Sequence, residues 1–285
     1  MNPSASVRDS RSGELPVYFN PKVASIPDGG FERYRVTPSL ENILETVVER
    51  DGVGVRLGLR DRPTLEAIMF VSLAQRHWLE KRGIHPRISD SAWHFQPSLL
   101  MATCPPEVLL SDEAALLPVG NLTRQVSRLP PRFFIRPNSG NKQFPGQVVR
   151  RNDLEHFLAT YKPGFDEIVM VAVVRPIESE IRCFVSQREK KPRIVAWSKY
   201  NHADGSHNPA DVPFDQWPYA DWINELLHSK ELRHLFTLLP EMVVMDFAFS
   251  DGKVKLIELN SVSTSGLYSC NPEAIIAEIN AIRVL

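Results

Sequence analysis

Two acidic segments near the end of the chain carry side chains suited to hold a divalent metal ion. Asp246 lies in the first apolar segment, and Glu258 and Asn260 lie two residues apart in the second. Carboxylates in apolar strands are costly to bury unless they are paired or bound to a cation. Mg²⁺ takes one or two carboxylates together with waters and substrate phosphates. These residues indicate either a magnesium site or an acidic pair at the rim of a sheet, and alone they do not choose between the two.

The hairpin that joins the two segments decides whether the three side chains can meet. Asp251-Gly252 is a strong signal for a two-residue turn. A regular two-residue hairpin would place Asp246 opposite Ile257 and send Glu258 to the other face, because side chains alternate along a strand. A shared site therefore requires a three-residue loop or a β-bulge. A regular hairpin would contradict the metal site.

A loop rich in hydroxyl groups follows directly after Asn260. Backbone N–H groups and hydroxyls in such a loop can hold an anionic substrate or a transferred phosphate. The alternative is an ordinary surface loop. The residues that we assign to substrate binding on this basis are Ser263, Ser265, Gly266 and Tyr268.

Cationic side chains that can meet phosphates lie upstream of the acidic segments. Arg136 ends a predicted strand, and Lys142 follows in a loop whose glycines allow close approach to phosphates. This loop lacks the Gly-Lys-Ser/Thr ending of the common phosphate loop, so alone it is a weak signal. Arg182 and Lys199 lie on adjacent predicted strands and can add charge over the same cleft. Singly, each is more often a surface or salt-bridged residue.

The elements that must position these residues follow from the periodicity of the apolar positions. Strands alternate with helices in an order typical of an α+β fold, in which helices pack on mainly antiparallel sheets. Alternation places Ile181 and Arg182 on opposite faces of their strand. Asn152 and Asn271 are the expected N-caps of two helices. The predicted strands are Pro131–Arg136, Val148–Val149, Glu167–Val174, Glu180–Ser186, Arg193–Tyr200, Glu241–Phe249 and Lys253–Leu259, and the predicted helices include Glu41–Arg50, Thr64–Lys81, Asp153–Tyr161 and Tyr219–Leu235.

The composition is that of an ordinary globular protein. The 285 residues are 43% apolar and 24% charged, with a formal net charge of −1, which argues against a dedicated nucleic-acid binder. No apolar run approaches the roughly 20 residues of a membrane span. Cys104, Cys183 and Cys270 lack the spacing of a metal site or a disulfide framework, so a reducing, cytoplasmic location is expected. We expect a disordered tail at 1–15, a substrate-shaping subdomain at 16–120 and a catalytic core at 121–285.

Three stretches combine the candidate residues. They are Arg136-Pro-Asn-Ser-Gly-Asn-Lys142-Gln-Phe-Pro-Gly146, then Glu178-Ser-Glu-Ile-Arg182-Cys-Phe-Val, then Asp246 with Glu258-Leu-Asn260-Ser-Val-Ser-Thr-Ser-Gly266-Leu-Tyr268. Together they resemble the ATP-grasp superfamily, and most of all its compact phage- and bacterial-type clade with an Arg-Pro…Lys loop. The resemblance extends over about 122–271, and its closing run is the most specific part.

The resemblance implies that two lobes with antiparallel sheets clasp ATP between them, next to an N-terminal α/β subdomain. It implies that the acidic trio holds Mg²⁺, that Arg136 and Lys142 contact phosphates, and that Arg182 lies near the γ-phosphate or an acyl-phosphate. The strand end at 171–177 would be the hinge beside adenine. An aromatic residue often precedes this arginine in the family, whereas Ile181 does here, which leaves open whether Glu178 or Glu180 meets the nucleotide. The further residues assigned to the nucleotide are Val173, Val174, Arg175 and Lys199.

The chemistry implied is ATP-dependent ligation. A carboxylate is a poor electrophile, and its phosphorylation by ATP creates a good leaving group that an amine or thiol can displace. The partners would then be a small-molecule or peptide carboxylate and an amine-type nucleophile, with no nucleic acid and no membrane. A kinase that stops at phosphorylation and a non-catalytic nucleotide-binding protein are the alternatives. The complete set of candidate ligands argues against the second of these.

Overall fold

The computed structural model shows an α+β fold with two four-stranded antiparallel sheets. It describes residues 17–19, 35–36, 68–70, 92–140, 142–189, 191–201 and 214–282. None of the described helices is long and apolar enough to cross a membrane. The tail at 1–15 and the helix predicted at 41–50 lie outside the described residues.

The described elements follow one another in an order that matches most of the predicted strands. The strands are β1 (Val17–Phe19), β2 (Arg35–Val36), β3 (Ile68–Phe70), β4 (Ala114–Pro118), β5 (Arg132–Pro137), β6 (Gln147–Arg150), β7 (Ile168–Val173), β8 (Ser179–Ser186), β9 (Arg193–Asn201), β10 (Met242–Ser250) and β11 (Lys253–Asn260). The α-helices are α1 (Pro97–Thr103), α2 (Val119–Arg124), α3 (Leu154–Tyr161), α4 (Ala220–His228), α5 (Lys230–Leu238) and α6 (Pro272–Ala281).

The N-terminal part contributes a small parallel sheet with the strand order β2-β1-β3. Strand β3 lies inside Thr64–Lys81, so the prediction of a helix is wrong for residues 68–70. A short continuous apolar run of this kind fits a buried strand as well as a buried helix segment, and periodicity cannot separate the two. Strand β3 lies against the short 3₁₀ turn Val262–Thr264, within the hydroxyl-rich loop.

The first lobe is built on the sheet β4-β7-β5-β6. Phe133 and Ile135 on β5 are fully buried against α2 and α3, whereas Phe134 and Arg136 point to the opposite face. Strand β4 precedes residue 121 in the chain but pairs along its whole length with β7. We therefore propose that this lobe begins by Ala114, earlier than the boundary expected from the sequence.

The second lobe is built on the sheet β11-β10-β8-β9. The alternation predicted for β8 is present, because Ile181, Cys183 and Val185 pack into the core formed with α4 and α5. Arg182 lies on the opposite face, toward the first lobe. The single helix predicted at 219–235 is two helices, because Ser229 adopts an extended conformation with ψ of 159°.

The two predicted helix caps have different outcomes. The side chain of Asn271 caps α6 by accepting hydrogen bonds from the N–H groups of Glu273 and Ala274. Asn152 is not a cap, because it lies within a 3₁₀ turn and α3 begins one residue after Asp153. A 3₁₀ turn commonly precedes a helix and moves its first residue along the chain.

Helix α6 is fixed to the second lobe by the buried side chain of Glu278. Its carboxylate accepts a hydrogen bond of 2.5 Å from Ser186 and one of 3.2 Å from Arg188, and it forms an ion pair with Arg193. Burial raises the pKa of Glu278, but the hydrogen bond from Ser186 and the two arginines outweigh it and hold the pKa below its ordinary value.

Glu278→Gln should lower the free energy of unfolding by about 2 kcal/mol at pH 7, because the charged hydrogen bonds are lost. A carboxylate with a depressed folded-state pKa stabilises the fold above its unfolded pKa, and this contribution is lost as the pH falls through the folded-state value. The difference between wild type and variant should therefore shrink below about pH 4.3. Urea denaturation across a pH series measures it, and a difference that does not change with pH would contradict this role.

Candidate nucleotide and phosphate site

A cavity of about 450 Å³ lies between the two lobes. Its size is within the range of small-molecule sites. Phe134 and Met170 line it from the first-lobe sheet, and Ile257 and Glu258 line it from β11. The described cleft is therefore both apolar and charged, with the charge concentrated at one end.

The hairpin β10–β11 has the irregularity that a shared acidic site requires. Asp251 and Gly252 form a two-residue turn with φ of 51° and 73°. The register then shifts, so that Ile257 has no partner opposite it and Asp246 pairs directly with Glu258. The predicted β-bulge is thus confirmed, and both carboxylates lie on one face of the sheet.

Asp246 is fully buried and is held by Arg182. The guanidinium donates two parallel hydrogen bonds of 2.9 and 2.8 Å to the two carboxylate oxygens. It donates a third, of 3.1 Å, to the carbonyl of Gly266 and lies 4.9 Å from the ring centre of Tyr268. Burial raises the pKa of Asp246 above its ordinary value, and the ion pair with Arg182 opposes that rise. Arg182 therefore links the acidic site to the loop that follows it.

Glu258 receives two cations from the first lobe. Arg136 lies 2.6 Å and Lys142 lies 3.1 Å from its carboxylate oxygens. Asn260 donates one amide hydrogen to Glu258 and one to Asp246, each at 2.9 Å, and its oxygen accepts from Lys142 at 2.6 Å. Burial raises the pKa of Glu258, but the two cations and the hydrogen bonds outweigh it and hold the pKa well below its ordinary range.

The charges of this network favour an anion over a bare metal ion. Three cations from Arg136, Lys142 and Arg182 face two carboxylates, which leaves one positive charge. Across the part of the chain that the structure describes, no group of three or more His, Cys, Asp or Glu side chains can hold a metal by itself. The oxygen donors of Asp246 and Glu258 nevertheless suit Mg²⁺, which shares its ligands with phosphates. The residues fit a magnesium ion that arrives with a polyphosphate.

The loop that carries Lys142 is anchored on both sides. Before it, the side chain of Asn138 accepts a 2.8 Å hydrogen bond from the backbone N–H of Ser98. After it, Phe144 is buried against Phe157 in the first-lobe core. Lys142 itself has φ of 45°, a left-handed conformation that is uncommon for lysine. Sequence reasoning missed both anchors, since an asparagine and a phenylalanine in a polar loop give no distinct signal.

The hinge end of the cavity contains the residues predicted beside adenine. Val173, Val174 and Arg175 line the cavity. The guanidinium of Arg175, however, donates to Asp112 at 2.8 Å and to Glu113 at 2.7 Å. It therefore joins two neighbouring chain segments, and its side chain is already engaged.

The two glutamates near the hinge are separated by the structure. Glu180 is buried and lines the cavity. Glu178 is exposed and is not among the cavity-lining residues, and its backbone N–H donates to the carbonyl of Phe249. Of the two alternatives left open by the sequence, the geometry favours Glu180.

Lys199 does not join the cleft. The register of β8 and β9 places Lys199 opposite Ile181, whose side chain packs into the second-lobe core. Side chains directly opposite each other point to the same face of a sheet. The assignment of Lys199 to the nucleotide is therefore not supported, because the expectation assumed a different register between the two strands.

The serines of the hydroxyl-rich loop bond mainly within the loop. Ser263 contacts the hydroxyl of Ser261 at 2.8 Å, and Ser265 donates to the carbonyl of Ser261 at 2.6 Å. Both are buried, so they shape the loop instead of presenting hydroxyl groups to a substrate. Tyr268 is 43% exposed and has φ of 49°. Of the four predicted substrate residues, Tyr268 and the backbone of Gly266 are thus the best placed.

Leu110 and Ser111 line the cavity although they belong to a stretch in which no motif was recognised. The N–H of Leu110 donates to the carbonyl of Leu256 on β11, which places this segment beside the second lobe. An apolar run next to Pro105-Pro106 was the only signal available in the sequence.

The two clasping sheets and the charged cleft between them define a nucleotide-binding enzyme fold. A family model described as an ATP-grasp domain, the third family of its clade, matches residues 74–279. This is more than two thirds of the chain, and the chain belongs to that ATP-grasp family. No curated protein sequence matches it.

Several solved structures are similar to the chain at low sequence identity. A D-alanine–D-alanine ligase from Bacillus anthracis complexed with ATP has a TM-score of 0.48 and 13% identity, over 93% of this chain and 92% of that one. A D-alanyl-alanine synthetase A from Vibrio cholerae O1 biovar eltor has a TM-score of 0.45 and 13% identity, over 69% and 66%. A RimK domain ATP-grasp protein from Sphaerobacter thermophilus has a TM-score of 0.41 and 9% identity, over 65% and 62%. The chain spans slightly less than two thirds of the last two.

Proposed function

We propose that the protein is an ATP- and Mg²⁺-dependent ligase that joins a carboxylate to an amine or thiol through an acyl-phosphate. The observation that carries this proposal is the charged network across the cleft, in which Arg136 and Lys142 of the first lobe reach Glu258 of the second. Such a network can exchange its carboxylate for phosphate oxygens when a nucleotide binds. Membership of the ATP-grasp family supports the assignment of ATP.

The residues take distinct roles in this proposal. Asp246 and Glu258 hold Mg²⁺, with Asn260 beside them, and the ion neutralises charge on the phosphates. Arg136 and Lys142 bind the phosphates, and Arg182 stabilises charge on the transferred phosphoryl group. The hinge at 173–175, with Glu180, binds the base and ribose. Gly266 and Tyr268 border the carboxylate substrate.

The reaction proceeds in two balanced steps. A carboxylate oxygen attacks the γ-phosphorus, the bond to the β-phosphate oxygen breaks, and ADP leaves. The amine then attacks the carbonyl carbon of the acyl-phosphate, the C–O bond to phosphate breaks, and the amine loses a proton. Phosphate departs with one oxygen of the original carboxylate. The protein supplies position and charge stabilisation, so neither step requires a nucleophilic side chain.

The partners in this proposal are a small-molecule or peptide carboxylate and an amine-type nucleophile. Strand β3 lies against the hydroxyl-rich loop, which supports a substrate-shaping role for the part of the chain at 16–120. We place the protein in the cytoplasm, where ATP is abundant and the three buried thiols Cys104, Cys183 and Cys270 stay reduced.

Turnover across a panel of carboxylates and amines tests the proposal. ADP that forms only when acid and amine are both present supports the ligase. A phosphorylated product in the absence of amine would instead identify a kinase. Nucleotide binding without turnover on a broad panel would identify a non-catalytic binding protein.

Lys142→Ala should reduce kcat/KM for ATP by about 10²-fold, because a charged contact to the phosphates is lost. Lys162→Ala is a matched control, since Lys162 is exposed and has a similar left-handed φ of 48°. The two variants should have similar thermal stability and differ in steady-state kinetics with ATP. Equal kinetics for both variants would contradict the phosphate contact.

A further inference from the structure

A pair of arginines beside the cleft has no part in the nucleotide site. Arg132 on β5 and Arg150 on β6 are directly opposite each other, and both are exposed. Within the described ranges, neither forms an ion pair with an acidic side chain. Like charges opposite each other on paired strands destabilise a sheet. The pair therefore has an electrostatic cost that the described fold does not offset.

Both arginines lie on the face of the sheet that lines the cleft. Phe134 and Arg136, two and four residues after Arg132, line the cavity, and so does Val148, two residues before Arg150. Because side chains alternate along a strand, Arg132 and Arg136 mark the ends of one row, roughly 13 Å apart. The arginine pair thus continues the surface of the cleft outward.

Two more arginines extend the positive charge next to this pair. Arg151 follows β6 and donates to the carbonyls of Ser127 and Leu129. These contacts bring the exposed Arg128 close to the same edge of the lobe. We call Arg128, Arg132, Arg150 and Arg151 the arginine patch.

Strand β6 is also an edge strand of the first-lobe sheet. Among the residues that the structure describes, no strand pairs with its outer side. The side chain of Val148, in the middle of β6, is 43% exposed. An open edge with exposed apolar and basic side chains can pair with an extended chain through backbone hydrogen bonds.

Protection against aggregation is an insufficient explanation for the arginine patch. Charged side chains on edge strands do prevent unwanted pairing, and Arg150 alone would serve that purpose. Arg132, however, lies on the inner strand β5, where it repels Arg150 and protects no edge. An anionic partner explains both positions, because it would satisfy the two guanidinium groups together.

We propose that the arginine patch binds an acidic, extended peptide segment that lies along β6 and leads into the cleft. A peptide fits better than a nucleic acid, because only a peptide can complete the backbone hydrogen bonds of the edge. A net charge of −1 and a patch of four arginines also give little of the broad basic surface that nucleic acids require. That this peptide supplies the carboxylate for ligation rests on the proposed function, whereas its binding does not.

Arg150→Glu tests the surface without disturbing the fold. The variant replaces a repulsive cross-strand pair with an attractive one, so its Tm should stay the same or rise. Its affinity for a fluorescein-labelled peptide of alternating Glu and Ala, measured by anisotropy at low salt, should fall by about tenfold or more. Arg233→Glu, on the exposed side of α5, is the control with the same change of net charge.

Wild-type binding that Arg150→Glu loses and Arg233→Glu retains would support the proposal. It would be overturned if the wild type did not bind the peptide, if both variants lost affinity equally, or if a matched Gln–Ala peptide bound as tightly. Single-stranded DNA of equal charge that bound more tightly than the peptide would also overturn it, in favour of a nucleic-acid surface. Absence of turnover with Arg150-dependent peptide binding would reject the ligase and leave this surface in place.

Discussion

Glu258→Gln is expected to reduce turnover on the order of 10³-fold or more while the protein remains folded. The carboxylate is the meeting point of Arg136, Lys142 and Asn260. An amide keeps the shape and one hydrogen-bond acceptor but removes the negative charge that would neutralise Mg²⁺. Because the folded-state pKa of Glu258 lies well below its ordinary range, the wild-type side chain is ionised at neutral pH.

Steady-state ADP formation, together with circular dichroism, measures the effect of Glu258→Gln. Glu225→Gln is a charge-matched control on the exposed side of α4. We expect the control to retain wild-type turnover. A Glu258→Gln variant with wild-type activity would show that the acidic trio is not the metal site.

Arg182→Met is expected to lower the free energy of unfolding by about 3–5 kcal/mol, because removal of one partner leaves a buried charge uncompensated. Asp246 is 0% exposed, and without Arg182 its carboxylate keeps only the hydrogen bond from Asn260. The same substitution removes the contact to Gly266, so turnover should be lost as well.

A double-mutant cycle separates the stability effect of Arg182→Met from a general loss of packing. The Arg182→Met/Asp246→Asn protein should unfold at a higher urea concentration than Arg182→Met alone, since no buried charge remains. It should still lack turnover, because both side chains belong to the proposed site. If the double variant were no more stable than Arg182→Met, the ion pair would not be the source of the destabilisation.

The sequence predicted the parts of the site that depend on local chemistry and on strand period. Asp246, Glu258 and Asn260 were recognised because acidic groups in apolar strands need a partner. The β-bulge followed from the two-residue turn at Asp251-Gly252, since only an irregular register brings the carboxylates together.

The features that the sequence did not predict depend on register and on long-range contacts. Lys199 was placed over the cleft, but a shift of one residue in strand pairing moves a side chain to the other face. The anchors of the Lys142 loop, Asn138 and Phe144, act on partners distant in the chain. Leu110 reaches the cavity through a contact with β11, a strand far later in the chain.

The serine-rich loop shows the same limit in a different form. Its composition suggested hydroxyl groups directed at a substrate, whereas Ser263 and Ser265 bond within the loop. Hydroxyl groups satisfy nearby backbone and side-chain partners as readily as they bind ligands. Composition identified the position of the loop but not the direction of its side chains.

Oxygen-18 transfer tests the central claim most directly. The protein would be supplied with ATP, an amine mixture and a pool of carboxylic acids labelled with oxygen-18, and the released phosphate would be analysed by mass spectrometry. An acyl-phosphate requires that phosphate leave with one oxygen from the acid, so we predict phosphate carrying a single oxygen-18 that depends on both substrates. ADP formation accompanied only by unlabelled phosphate would contradict the proposed ligase.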